Sequence, residues 1–253
     1  MYHTTGFSKD AITALCAMIT QKFPTPLRTT GRKPALDLYK SVVVTLCYLR
    51  RNRVQEELAE LFEVSQPTIS RAIATITPLL EEVLREWVPT AEDLDPQVQL
   101  IVDGTLLPCW SWADEEGLWA GKHRTTGLNV LVACTLAGNL AWVSDPMPGK
   151  THDAKAARTC GLLDTDTEVQ QLGDKGFIGL GMITPYRKPP GAELLEWQRD
   201  FNATVNSVRA AVERAIAHLK TWRILHTDYR RPLKTFPMTI STVIALAFYR
   251  MTF

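Results

Sequence analysis

Residues 100–110 read LIVDGTLLPCW. Leu100, Ile101 and Val102 form the short apolar run of a buried strand, and that run ends on the carboxylate of Asp103. An acid at the end of a core strand costs stability unless it is solvated, ion-paired or holding a cation. Reading outward from Asp103 decides both the fold class and the chemistry to look for.

Downstream, the pattern keeps a strand period. QVQLIVDGTLL, GLNVLVACTL and NLAWVSDPM are rich in Val, Leu and Ile and bounded by Gly, Asn and Pro, and AGN joins the last two as a hairpin. THDAKAARTCGLL then reads as a helix capped by Thr151, EVQQLGD as a short strand and MITPY as another. A long helix is expected from about Ala192 to Lys220, and ISTVIALAFYRM reads as an apolar closing helix. The order predicts an α/β domain with a mixed sheet over residues 93–253.

Upstream, the period changes to that of helices. KDAITALCAMITQKF and ALDLYKSVVVTLCYLRR carry apolar residues at helical spacing, so residues 1–92 are expected to form an all-α domain. Between them lies a connector with Arg28, Arg32 and Lys33 around Gly31 and Pro34. It is basic enough to reach a minor groove, although a solvated linker is the ordinary account. Within 54–77, Leu58, Leu61 and Phe62 mark a short helix. Ser65 caps a second one, with Pro67 in its first turn and Ile69, Ile73 and Ile76 as its buried stripe. Gln66, Thr68, Ser70 and Arg71 are left at the leading end, as in a helix-turn-helix whose second helix enters a major groove; a plain helical hairpin has the same pattern.

Charge is unevenly spread. Residues 1–90 hold 11 Lys and Arg against 9 Asp and Glu, residues 91–174 hold 5 against 13, and residues 175–253 hold 12 against 5. An acidic centre beside a basic end suits metal-dependent chemistry on a polyanion, and equally suits two solvated faces. Five cysteines without any C-x-x-C spacing make neither a zinc site nor a disulfide framework, which points to a reducing, cytoplasmic setting. No export signal or membrane span is expected.

Three acids stand out: Asp103, Asp174 between Gly173 and Gly176 at the end of the fourth strand, and Glu213 on a polar helix face with Asn206, Arg209 and Lys220. Each alone has an ordinary account, as a turn cap, an Asx-turn and a partner for Arg209 respectively. Two carboxylates about 4 Å apart repel by roughly 4 kcal/mol at an effective dielectric of about 20, so a converging trio calls for a cation. Oxygen donors without Cys and with few His select hard ions, Mg²⁺ with Mn²⁺ as a substitute.

DGT at Asp103, GKHRTTGLNV at 121–130, PGKTHD at 148–153, GDKGF at 173–177, TPYRKPPG at 184–191 and VERAIAHLKTWRIL at 212–225 together resemble a DDE transposase. The resemblance runs from about residue 35 to the end, and its nearest group is the Harbinger-like kind encoded by bacterial insertion sequences. It implies a ribonuclease-H-like catalytic domain that binds two divalent ions per active site, cuts at terminal inverted repeats and joins the freed 3′-hydroxyl to target DNA. By motif match the metal-binding triad falls on Asp103, Asp174 and Glu213, with His152 and Asp153 as supporting or DNA-end contacts; a cap beside a surface His is the plainer account of that last pair. Lys122, His123, Arg124, Lys175, Arg187, Lys188, Arg209, Arg214, Lys220 and Arg223 would handle DNA phosphates, with Arg32 and Lys33 in the arm. Trp110, Trp112 and Trp119 lie in the loop with Asp114, Glu115 and Glu116, and packing is expected for most of these rings. The resemblance, with the need to hold two ends, implies a homodimer or higher oligomer on DNA, and it implies a protein associated with a bacterial nucleoid. A domesticated DNA-binding protein and a stand-alone metal-dependent endonuclease are the alternatives; three intact acids argue against the first, and the end-recognition module against the second.

Overall fold

The computed structural model describes residues 2–24, 34–110, 117–163 and 168–252. In chain order the elements are α1 (Tyr2–Thr5), α2 (Lys9–Lys22), α3 (Leu38–Arg51), α4 (Gln55–Leu61), α5 (Gln66–Leu84), β1 (Leu100–Pro108), β2 (Trp119–Ala120), β3 (Thr125–Thr135), β4 (Leu140–Val143), β5 (Met147–Pro148), α6 (Asp153–Thr159), α7 (Glu196–Leu219) and α8 (Phe236–Arg250), with short 3₁₀ turns between some of them. The basic connector with Arg28, Arg32 and Lys33, and Trp112 with its three neighbouring acids, lie outside the described residues. Packing divides the chain into two units, Met1–Val88 with Lys220–Phe253, and Pro89–Leu219. The division differs from a cut at residue 92 because Trp222, Ile224, Leu225 and nearly all of α8 bury their apolar surface in the helical unit.

In the helical unit, the side chain of Ser8 caps α2 by accepting from Ala11 N, and Asp37 caps α3 by accepting from Lys40 N. Every residue of α3 from Val42 to Leu49 is buried, so this helix is the unit's centre. Helix α5 buries Ile69, Ile73 and Ile76 as the spacing predicts, continues the stripe through Leu80 and Leu84, and carries Pro67 in its first turn. Ser65 stands at its N-cap position, but the hydroxyl meets Thr68 Oγ1 at 3.0 Å rather than a backbone amide. The short helix marked by Leu58, Leu61 and Phe62 is α4; Leu61 is 70% exposed, and Leu58 and Ala59 are its buried residues.

In the second unit, the five strands found among the described residues form one sheet around β3, which pairs antiparallel with β1, β2, β4 and β5. The hairpin from β3 to β4 is as expected, whereas EVQQLGD and MITPY contribute only single parallel bridges, Ile101 to Leu172 and Leu172 to Ile183. Those bridges make the sheet mixed. Helix α6 covers one face, where Ala156 and Ala157 pack with Leu100, Val102, Leu131 and Ala133. Arg209 of α7 reaches Asp103, whose side chain leaves the strand on the opposite side from Val102. A sheet with helices on both sides is the ribonuclease-H-like arrangement that was expected. No helix among the described residues is long and apolar enough to cross a membrane.

Candidate active site

Asp103 is not at the end of its strand. β1 continues for five residues beyond it, with Gly104 through Pro108 paired to Leu131 through Gly127, because Leu106 and Leu107 still find buried places. The acid therefore sits mid-strand, opposite Val132, with its side chain 17% exposed. Its Oδ1 accepts from Gly104 N at 2.9 Å, and its Oδ2 lies 3.2 Å from Arg209 Nη2. Burial pushes the Asp103 carboxyl above its ordinary pKa. Arg209 and the Gly104 amide pull it down, while the charges of Asp174 and Asp153 add to the rise. Asp103, Asp174 and Asp153 thus belong to one electrostatic neighbourhood.

Asp174 arrives there through the parallel bridge: Leu172 N donates to Leu100 O and Val102 N to Leu172 O, both at 2.8 Å. Just beyond it the chain turns into a 3₁₀ helix, Lys175–Phe177, and Asp174 caps it by accepting from Gly176 N at 2.6 Å. The Asx-turn that was an ordinary account of Asp174 is therefore present, alongside its proximity to Asp103. The flanking glycines are not open: Phe177 lies against Gly173, and Asp174's own carboxylate against Gly176.

Asp153 starts α6 after His152, which holds the N-cap position expected for Thr151 and makes no side-chain cap. The Asp153 carboxylate lies directly against Gly104, so the space beside Gly104 is filled by protein. Asn129 Nδ2 donates to Asp153 Oδ1 at 3.2 Å, and Lys122 Nζ stands 3.6 Å from Oδ2. Glu213 is exposed on α7, one turn beyond Arg209, and makes no ion pair among the described residues. Sequence reasoning placed Arg209 among the DNA contacts and missed it as the partner of Asp103. The signal was available in the need of a buried acid for a counter-charge and in Arg209 lying four residues before Glu213.

The remaining basic residues scatter. Lys122, His123 and Arg124 form the turn between β2 and β3, where Arg124 takes a left-handed φ of 52°. Arg187 Nη2 donates to Lys175 O at 2.7 Å, which keeps these two together, and Lys188 pairs with Glu193. Lys220 falls in the helical unit, half-buried, and burial lowers its ammonium pKa. At the helix-turn-helix, Thr68 accepts from Arg71 at 3.3 Å, Ser70 is half-buried, and Gln66 donates to Gln55 Oε1 at 2.7 Å, tying α5 to α4 instead of standing free. Trp110 and Trp119 are more than half exposed, against the packing expected of them.

Among the described residues, no group of three or more His, Cys, Asp or Glu is gathered closely enough to hold a metal. The donor set itself suits a hard divalent cation: Asp103 and Asp174 are carboxylates in one neighbourhood, and the charge opposite Asp103 is supplied by a guanidinium.

Residues 102–247 match the family described as DDE superfamily endonuclease, and residues 34–86 match the helix-turn-helix of DDE superfamily endonuclease. The chain belongs to the DDE superfamily of endonucleases. This endonuclease is 32% identical over 196 residues to a Streptomyces albus G protein named as a transposase for insertion sequence element IS112, covering 77% of this chain and 73% of that one. It is 23% identical over 231 residues to a Microchaete diplosiphon protein named as a transposase for insertion sequence element IS702, covering 87% and 83%. No solved structure matches the chain. Nuclease domains of this superfamily use divalent metal ions, and the paired helix-turn-helix makes DNA the ligand of the endonuclease.

Proposed function

We propose that this endonuclease is the DNA transposase of an insertion sequence, binding terminal inverted repeats through α4 and α5, cleaving DNA at the element ends and joining the 3′-hydroxyl to target DNA. The observation that carries the reading is the shared neighbourhood of Asp103 and Asp174 on hydrogen-bonded segments of one sheet, in a chain that also holds a helix-turn-helix. Asp103, Asp174 and Glu213 would hold the divalent ions, two per active site, with Mg²⁺ as the cation and Mn²⁺ as its substitute. When bound, such a pair supplies activation of the attacking oxygen and neutralisation of charge on the leaving oxygen. Arg209 keeps Asp103 oriented and compensated, and Asp153 with His152 orders the start of α6 beside it. Lys122, Arg124, Lys175 and Arg187 take DNA phosphates near the acids, which sets affinity without reading sequence. Two copies, one for each element end, act together on DNA at the nucleoid.

The experiment is Mg²⁺-dependent cleavage of a duplex carrying the element's terminal inverted repeat. Asp103→Asn is expected to abolish cutting while leaving duplex binding within about threefold, since it removes a carboxylate that would hold the divalent cation and leaves the DNA-binding residues untouched. Undiminished cutting by that variant would sink the assignment.

A further inference from the structure

Away from the acids, within the helical unit, Arg51, Arg53, Arg223 and Arg230 line one open pocket of about 300 Å³. Two of them come from the end of α3 and the residue pair just after it, and two from the segment that follows α7. Asn52 joins the segments: it ends α3 in the left-handed conformation at φ 48°, and its Nδ2 donates to Thr227 Oγ1 at 2.7 Å and to Asp228 O at 3.3 Å. Arg230 Nη2 donates back to Asn52 O at 2.9 Å, and Arg51 donates to the His3 carbonyl. The convergence is therefore held by side-chain and backbone bonds between residues some 175 positions apart.

Charge in the pocket is far from balanced. Against four guanidinium groups stands one carboxylate, Glu57, which pairs with Arg53 at 3.0 Å in a half-exposed ion pair of small energetic worth. The Arg223 guanidinium has neither hydrogen-bond nor ion-pair partner among the described residues, while the Arg223 carbonyl accepts from His226 N, Thr227 N and Thr227 Oγ1. Guanidinium groups crowded into a concave site repel one another, and an anion entering it gains their summed field and their forked donors. The pocket also abuts α4 through Val54 and Glu57. α4 is the first helix of the helix-turn-helix, and in that motif the first helix crosses the DNA backbone while the second reads bases.

We propose that the pocket of Arg51, Arg53, Arg223 and Arg230 seats a backbone phosphate of duplex DNA and anchors the helix-turn-helix on its site. The inference rests on the DNA-binding part of the function above and adds a contact that lies in neither the sheet unit nor the recognition helix. Seating is independent of base sequence, so it governs how strongly the protein holds any duplex.

The test compares the full chain with Arg53→Gln/Arg223→Gln and with Arg53→Lys/Arg223→Lys, measuring equilibrium binding to inverted-repeat and random duplexes across a salt series. Loss of the seated phosphate should lower the slope of log affinity against log salt by roughly 1 and weaken both duplexes by a similar factor. The lysine pair should retain most of the slope, which a merely structural role for the arginines would not predict. A glutamine pair with unchanged slope on both duplexes overturns the pocket while leaving the DNA-binding reading intact; a parent chain that binds no duplex overturns both. Inorganic phosphate, titrated at matched ionic strength, separates the sources. Saturable millimolar binding of phosphate that displaces no DNA would mark a small-anion site and overturn the proposal.

Discussion

Arg209 Nη2 of α7 lies 3.2 Å from Asp103 Oδ2 of β1, and the two side chains are 15% and 17% exposed. The acid that sequence pattern selects as a metal ligand is thus held by a protein cation in a poorly solvated place, and a metal bound there would exchange one counter-charge for another.

Replacing Arg209 with Met, which keeps an unbranched apolar stem but not the guanidinium, leaves the Asp103 carboxylate short of a partner. The expected loss of unfolding free energy in metal-free solution is about 2–3 kcal/mol, somewhat below the cost of breaking a fully buried pair. Added Mg²⁺ should stabilise Arg209→Met more than it stabilises the parent. Urea unfolding with and without Mg²⁺ reads both quantities, and equal midpoints for the two proteins would remove Arg209 from this role.

Gly104 is in contact with Asp153. A Cβ at that position would stand 2.1 Å from Asp153 Oδ1, so Gly104→Ala must push the carboxylate away from Asn129 and Lys122. The expected cost is about 1–3 kcal/mol of overpacking, together with a fall in cleavage. Gly104→Ala/Asp153→Ala should recover much of the stability; a double variant as unstable as the single one would place the strain elsewhere.

At the helix-turn-helix, Arg71 is exposed and Gln66 is engaged with Gln55. Arg71→Ala is therefore expected to weaken inverted-repeat binding more than random-duplex binding. Gln66→Ala should also cost about 1 kcal/mol of stability through the lost interhelical bond. Equal losses by Arg71→Ala on both duplexes would remove it from sequence recognition.

Burial raises the thiol pKa of Cys16 and of Cys134 to about 11. The thiolate is the reactive form, so alkylation at pH 8 should run roughly a hundredfold slower than for an unfolded thiol of pKa about 8.5. Because the folded values are the higher ones, their contribution to stability is complete below pH of about 8.5 and is lost as pH rises toward 11. Mass-spectrometric labelling across that range checks both; rapid native alkylation of Cys134 at pH 8 contradicts it.

The helix-turn-helix was legible because Ile69, Ile73 and Ile76 repeat at helical spacing behind Ser65 and Pro67, a local pattern that needs no tertiary information. Asp103 was found but misplaced: its charge looks like the end of an apolar run, and only pairing with β3 reveals that Leu106 and Leu107 carry the strand on. The contact of Asp153 with Gly104 joins residues 49 positions apart and leaves no periodic trace. Helix α8 is buried almost all round, so no polar face announces which unit it belongs to.

Strand β3 is the sole partner of β2, β4 and β5 among the described residues and the antiparallel partner of β1, and its Val130 through Cys134 are wholly buried. In hydrogen exchange its central amides should accordingly open only with the whole sheet unit, making them the slowest reporters in that unit and a direct gauge of its global unfolding free energy.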